Sequence, residues 1–309
     1  MSRHILGSGT PQCTTICHGF WTTITRSKSD RWAKVFVDWL TSNLAFFFDF
    51  VALVLDAGIK AMLFVLQGPF LKGTALEVFY PLFMILVFTG FAWWMRRSVG
   101  IAVFTVLGLL LIFNQGYWKE TMETLALVLA ATTVSMVVGV PIGIAAARRP
   151  WLYSFIRPIL DLMQTIPTFV YLIPALILFG LGMVPGLIAT VIFAIPSPIR
   201  LTRLGIISTP PSLVEAAQAF GATPRQVLTK VELPFAKPQI MAGLTQTIML
   251  SLSMVVIAAL VGAAGLGVPV VRALNTVNIA KGFDSGMCIV ILAIILDRVF
   301  RSGDEGDKA

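Results

Sequence analysis

Six stretches of the chain contain no Asp, Glu, Lys or Arg: Val78 to Met95, Ser98 to Trp118, Thr124 to Ala147, Leu162 to Ile199, Gln239 to Val271 and Ser285 to Leu296. A helix crossing a bilayer takes about 20 mainly apolar residues. Four runs fit one crossing each. Leu162 to Ile199 fits two, hinged at Leu181 to Gly186, and the last run reaches length when extended from Gly282 to Phe300. The pattern predicts an all-α polytopic membrane protein with about seven transmembrane helices over residues 78–301. Basic residues fall in every second connection: Arg96 and Arg97; Arg148, Arg149 and Arg157; Arg200, Arg203, Arg225, Lys230 and Lys237; Arg298 and Arg301. Lysine and arginine stay preferentially on the cytoplasmic side. Asn114 to Thr121, Leu181 to Gly186 and Gly265 to Lys281 are then expected outside, and residues 302–309 form a cytoplasmic tail.

Ahead of these runs, residues 30–77 carry a different pattern. Leu44 to Leu66 is long and apolar, yet Asp49, Asp56 and Lys60 fall on one helical stripe, which Ser42 and Asp38 extend backwards. An amphipathic helix lying in the membrane interface fits this arrangement, because a charge at the bilayer centre costs about 3 kcal/mol. Arg26, Lys28, Arg31 and Lys34 pull the other way, since basic flanks favour the inside. Residues 1–29 lack the apolar core of a signal peptide and read as a polar N-terminal tail.

Composition agrees with a membrane solvent: of 309 residues, 57% are hydrophobic and 12% charged, against about 25% charged in soluble proteins. The net charge of +8 is read as topology and not as a nucleic-acid surface, because the basic residues sit in short loops. Three cysteines and two histidines, with Cys13, Cys17 and His18 clustered in the tail, are a poor inventory for metal or disulfide chemistry. A nucleotide site of the Gly-rich type needs a Gly-Lys pair, and the chain has none. Nothing in the spans resembles a hydrolase motif or a buried acidic pair for proton or sodium coupling, so the chain reads as a non-catalytic membrane protein.

The connection at 209–235 is the most strongly punctuated. Pro210 and Pro211 stop the preceding element, and Ser212 with Glu215 has the spacing of a capping box. Leu213, Ala216, Ala217 and Phe220 recur at helical spacing as a narrow apolar ridge, and Gly221 stands where a C-terminal glycine cap belongs. Thr223-Pro224-Arg225-Gln226 repeats the start signal, and a second helix is expected to end before Leu233-Pro234. A two-turn helix is marginal by itself in water. Its ridge either docks a partner or packs on the chain's own membrane domain.

Glu215-Ala216-Ala217, three residues, Gly221, then nine residues to Val231-Glu232-Leu233-Pro234 resembles the EAA loop of ABC importer permeases. Val231 is the one departure, standing where that family usually has Ile. Asp161 to Tyr171, Pro196 to Arg203 and Val261 to Asn278 are similar to permeases for glycine betaine, proline betaine and choline, and the resemblance covers residues 36–301. The resemblance implies a binding-protein-dependent ABC permease of the bacterial inner (plasma) membrane. In it Ser212, Leu213, Glu215, Ala216, Ala217, Phe220, Gly221, Val231, Leu233 and Pro234 would form the loop that couples to a separate ATP-binding cassette ATPase. ATP would be held by that partner and no cofactor by this chain. Two permease copies would pair in the lipid, and a periplasmic or extracellular substrate-binding protein would deliver a quaternary ammonium compound.

For the translocation path, Thr245, Gln246, Ser251 and Ser253, with Thr247, are polar residues on an otherwise apolar span, although such residues more often bond neighbouring helices. Glu123 and Asp284 near the outer face favour a cation electrostatically or are solvated border residues. Pro141, Pro167 and Pro174 each remove a backbone hydrogen bond and are candidate bending points, and Gly139-x-x-x-Gly143 permits close helix approach. Two readings compete with the quaternary ammonium importer: an ABC permease for another small solute such as an amino acid, and a secondary carrier.

Overall fold

The computed structural model describes Asn43, residues 45–68 and residues 79–301. The tail 1–29, the first part of the 30–77 segment and the 302–309 tail lie outside the described residues. The chain divides into two units, Met1–Val51 and Ala52–Ala309. In the first, the Phe47 and Phe48 rings meet edge to face at 5.7 Å.

Every regular element among the described residues is helical. Helix α1, Ala45–Gln67, covers the amphipathic segment; Asp56 and Lys60 pair along it at 2.6 Å, and Ile59 and Leu66 are buried. Each expected crossing then has a counterpart. Helices α2 (Tyr80–Arg96) and α3 (Val99–Asn114) form a hairpin whose turn places Arg97 at φ 48°. Helix α4 is Trp118–Arg148; α5 (Pro150–Thr165) and α6 (Thr168–Phe179) form a bent pair; α7 (Met183–Ala194) leads into α8 (Pro196–Ile207). After the short α9 (Pro211–Ala219) and α10 (Pro224–Val227) come α11 (Leu233–Ala259), α12 (Gly267–Asn275) and α13 (Ile279–Phe300). Four stretches are long and apolar enough to cross a membrane, Trp118–Arg148, Met183–Ile207, Pro224–Ala259 and Ile279–Phe300, and the bent pair makes a fifth. Helices α2 and α3, of 17 and 16 residues, complete the seven. At 1.5 Å per residue they are about 25 Å long, a little under a ~30 Å hydrocarbon layer.

The first crossing of the Leu162 to Ile199 run is not one straight helix. It turns by 97° between Thr165 and Thr168. Pro167 has no amide hydrogen and drives the residue before it out of the helical region, and Ile166 is extended at ψ 132°. The Tyr171 hydroxyl spans this elbow, donating to the Met163 carbonyl at 2.7 Å. By contrast, Pro141 sits inside the unbroken α4 and Pro174 inside α6.

The core is built from α4, α7, α11 and α13, where Met122, Leu127, Leu187, Ile248, Val255, Cys288 and Leu292 are buried together. Large apolar residues such as Leu86, Leu107 and Val137 face outward, as a protein solvated by lipid requires. Helix α8 is held between α4 and α11 by glycines. A Cβ on Gly139 would lie 2.8 Å from Pro198 Cγ, one on Gly143 2.8 Å from the Ile199 carbonyl oxygen, and one on Gly205 2.9 Å from Ala236 Cβ. The GxxxG pair is thus a contact surface for α8.

Contacts between connections agree with the alternation read from the charges. At the basic end, Arg96 donates to the Arg301 carbonyl, and Arg148 Nη2 donates to the Pro224 carbonyl at 2.7 Å. At the other end, the Leu266 amide donates to Thr124 Oγ1 at 2.8 Å and the Gly182 amide to the Val261 carbonyl at 2.9 Å.

Candidate functional site

The loop at 209–235 stands at the basic end, and its first helix begins two residues earlier than a cap at Ser212 would set. The Ser212–Glu215 capping box does not form: α9 starts at Pro211, its N-cap is Pro210, and no side-chain cap bond is made. Proline at the first helical position is already set to the helical φ. That places Ser212 inside the first turn, where its hydroxyl cannot act as a cap. At the other end the expected glycine cap does form. Gly221 has φ 78°; its amide donates to the Gln218 carbonyl at 2.8 Å, and the Ala222 amide donates to the Ala217 carbonyl at 3.0 Å. This pair of bonds is the Schellman arrangement, and it satisfies carbonyls that the helix leaves open.

The second start signal holds in full. Thr223 Oγ1 accepts from the Gln226 amide, and Gln226 Oε1 accepts from the Thr223 amide at 2.7 Å. The helix does not stop before Leu233-Pro234, however. A π turn, Leu228–Glu232, carries it into α11, with the Leu233 amide bonded to the Leu228 carbonyl. The wider turn receives Pro234, which has no amide hydrogen and would crowd the carbonyl four residues back in a regular α-helix. Pro224–Ala259 is therefore one continuous 36-residue helical stretch.

Helix α9 has no buried residue. Leu213, Glu215 and Ala216 are exposed, Ala217 is half-buried, and Phe220 at the tip is 93% exposed. The apolar ridge thus lies unpartnered and is not packed on the membrane helices. What anchors the loop is the second helix: Val227 is buried, while Val231 and Leu233 are half-buried and Pro234 exposed. Arg148 at the end of α4 fastens it further. Its Nη2 bonds the Pro224 carbonyl and lies 3.5 Å from Glu232 Oε2, an ion pair longer than a hydrogen bond. Between α5 and α8, Asp161 pairs with Arg200 at 2.6 Å, and the Arg203 guanidinium lies 3.6 Å from the centre of the Tyr153 ring. Sequence reading missed these fasteners, because it took Arg148, Arg200 and Arg203 as topology signals alone. Glu232, inside the motif itself, was the available hint that a cation must approach.

The path candidates separate. Gln246 and Ser253, seven positions apart on α11, are both exposed and share one face. Ser251 is fully buried and has no hydrogen-bond partner among the described residues. Thr245 donates to the Ala242 carbonyl at 3.0 Å, and Thr247 is buried and donates to the Gly243 carbonyl at 2.7 Å. Among the described residues, no group of three or more His, Cys, Asp or Glu could hold a metal ion. The arrangement is mechanical: a stiff, capped, exposed helix mounted on the end of a long transmembrane helix.

Comparison with known proteins gives this arrangement a family. Residues 139–301 match the family described as binding-protein-dependent transport system inner membrane component. The glycine betaine transport system permease protein OpuAB of Bacillus subtilis (strain 168) is 47% identical over 264 residues, covering 85% of this chain and 90% of that protein. The glycine betaine/proline betaine transport system permease protein ProW of Escherichia coli (strain K12) is 45% identical over 272 residues, 87% of this chain and 73% of that protein. Among solved structures, a chain of the MetNI methionine ABC transporter in an inward-facing conformation aligns at a TM-score of 0.54 and 25% identity, covering 60% of this chain and 94% of that one. The chain belongs to the binding-protein-dependent transport system inner membrane component family, and is a multi-pass permease of an ABC importer.

Proposed function

We propose that this chain is the translocation subunit of an ATP-driven importer of quaternary ammonium compounds, with glycine betaine, proline betaine and choline as the substrate class. Its 209–235 loop is the surface on which a separate ATP-binding cassette subunit docks. The observation that carries the docking role is α9, a helix with no buried residue that is nonetheless capped and tipped by an exposed Phe220. Such a helix is marginal alone and gains its stability from a groove that covers it. The substrate class is supported by the glycine betaine permeases that resemble the chain over most of its length.

A displacement of α9 has two routes inward. One runs through the unbroken stretch Pro224–Ala259, whose outer half carries the exposed Gln246 and Ser253. The other runs through Arg148 to α4. Two copies facing each other would let closure of two ATPase subunits move both stretches together. An extracytoplasmic binding protein supplies the substrate.

The test is co-purification with the ATPase and binding protein, reconstitution in proteoliposomes, and uptake of labelled glycine betaine, proline betaine and choline. ATP-dependent uptake of at least one of them is expected. Uptake driven by an ion gradient without ATP would refute the importer reading, and transport of an amino acid in place of all three would refute the substrate class.

A further inference from the structure

At the end of the molecule opposite the loop, α4, α12 and α13 enclose a cavity of about 540 Å³. Tyr117, Glu120 and Glu123 line it from the start of α4, Arg272 from α12, and Asn278 and Lys281 from the start of α13. Its floor is fixed in place. The Leu266 amide is bonded to Thr124 Oγ1, and a Cβ on Gly265 would lie 2.6 Å from that same oxygen, so only glycine lets the 264–266 turn sit this close to α4. Asn278 is held as the N-cap of α13, its Oδ1 accepting from the Lys281 amide at 3.1 Å.

The charges on its wall are of both signs. Glu123, whose side chain is 14% exposed, is paired with Lys119 at 3.9 Å. Glu120, Arg272 and Lys281 form no ion pair within 4.0 Å among the described residues, although they face one cavity from three helices. Lys119 lines the wall as well, so a lone cation entering here meets Arg272, Lys281 and Lys119, and a lone anion meets the two glutamates. A molecule with both charges satisfies both walls. A quaternary ammonium group offers no hydrogen to donate, so it is held by carboxylate charge and by an aromatic face such as Tyr117. A carboxylate takes charge-assisted hydrogen bonds from Arg272 and Lys281.

We propose that this cavity is a landing site on the permease itself for a small zwitterion bearing a quaternary ammonium and a carboxylate, occupied between release from the binding protein and entry among the helices. It rests on the reading of the chain as a quaternary ammonium permease and adds to it a second recognition step. Here the cargo is selected by its carboxylate as well as its ammonium.

The experiment uses the permease with its ATPase in lipid nanodiscs, without the binding protein, and reads saturation-transfer NMR of the N-methyl protons of glycine betaine, with choline as the cation that lacks a carboxylate. A saturable glycine betaine signal is expected. Arg272→Gln with Lys281→Gln weakens its apparent affinity about tenfold, as loss of charge-assisted bonds requires, and does not weaken choline, which loses only repulsion. Glu120→Gln weakens both ligands, and Arg272→Lys restores part of the glycine betaine signal, which a misfolded variant would not. Absence of a saturable signal, or equal loss for both ligands in the Arg272→Gln, Lys281→Gln variant, would overturn the proposal. Uptake by the wild-type complex separates the two readings. Uptake of glycine betaine without the cavity signal removes the landing site alone, whereas absence of uptake of all three quaternary ammonium compounds removes the functional reading beneath it.

Discussion

Gly221 offers a perturbation whose cost can be worked from a single angle. Its φ of 78° is in the left-handed region, and a Cβ placed there would meet nothing within 4 Å. Substitution is therefore free of clash, and its cost is backbone strain alone, about 1–2 kcal/mol for alanine. Helix α9 has no buried residue to offset that cost. One or two kcal/mol corresponds to a factor of roughly 5–30 in the population of the capped helix. Gly221→Ala should thus reduce ATP-dependent uptake in proteoliposomes about tenfold at limiting ATPase subunit, while the thermal unfolding of the purified permease stays as in the wild type. Asparagine tolerates the left-handed region and should lose less, whereas β-branched valine should lose most. Gly221→Asp strains the backbone about as Asn does, so any loss beyond that of Asn measures the charge placed on the docking face. Wild-type uptake by Gly221→Ala, or a valine variant no worse than asparagine, would refute the claim that the cap holds the docking helix.

Other positions give independent tests. Thr124→Val keeps the volume but removes the acceptor of the buried Leu266 amide, and an unpaired buried amide costs about 1–3 kcal/mol; thermal unfolding in detergent should show the loss. Gly143→Leu puts a side chain against the Ile199 carbonyl, where a Cβ alone lies at 2.8 Å; overpacking of about 1–3 kcal/mol should separate α8 from α4 and lower the yield of folded protein. Arg148→Ala removes one of the two donors to the Pro224 carbonyl, which keeps the Leu228 amide, and takes the cation from Glu232. After discounting for partial exposure this costs about 1 kcal/mol, so ATP hydrolysis should persist while uptake per ATP falls, and Arg148→Lys should recover part of it. Tyr171→Phe removes the hydroxyl that spans the elbow and should raise protease cleavage near Pro167.

Much of this architecture was legible because lipid makes a simple demand: charge-free runs became helices, and basic connections met at one end. The loop shows where legibility stops. At Thr223-Pro224 the cap precedes the proline, the two start signals agree, and the capping box forms as read. At Pro210-Pro211-Ser212 the serine follows the proline, the signals conflict, and the proline's fixed φ wins. Likewise Leu233-Pro234 reads as a stop only if the turn before it is α-helical, and a π turn removes that condition. The bonds of Arg148 to Pro224 and of Asp161 to Arg200 join residues far apart in sequence, so no local pattern announces them. The outer cavity is the extreme case: its opposite charges come from segments about 150 residues apart, Glu120 to Arg272, and are unremarkable until the helices bring them together.

A π turn holds one residue more than the α turn it replaces, and one residue of helix is about 100° of rotation. The turn at Leu228–Glu232 therefore works as a phase setting between two faces of the same rod: the side on which α9 is presented and the side on which α11 exposes Gln246 and Ser253. Deleting a single residue within it would leave every motif residue outside the turn, both caps and the membrane spans intact, yet swing the loop about a quarter of a turn away from its partner. Timing between the two ends of the transporter is, in this sense, written in one surplus residue.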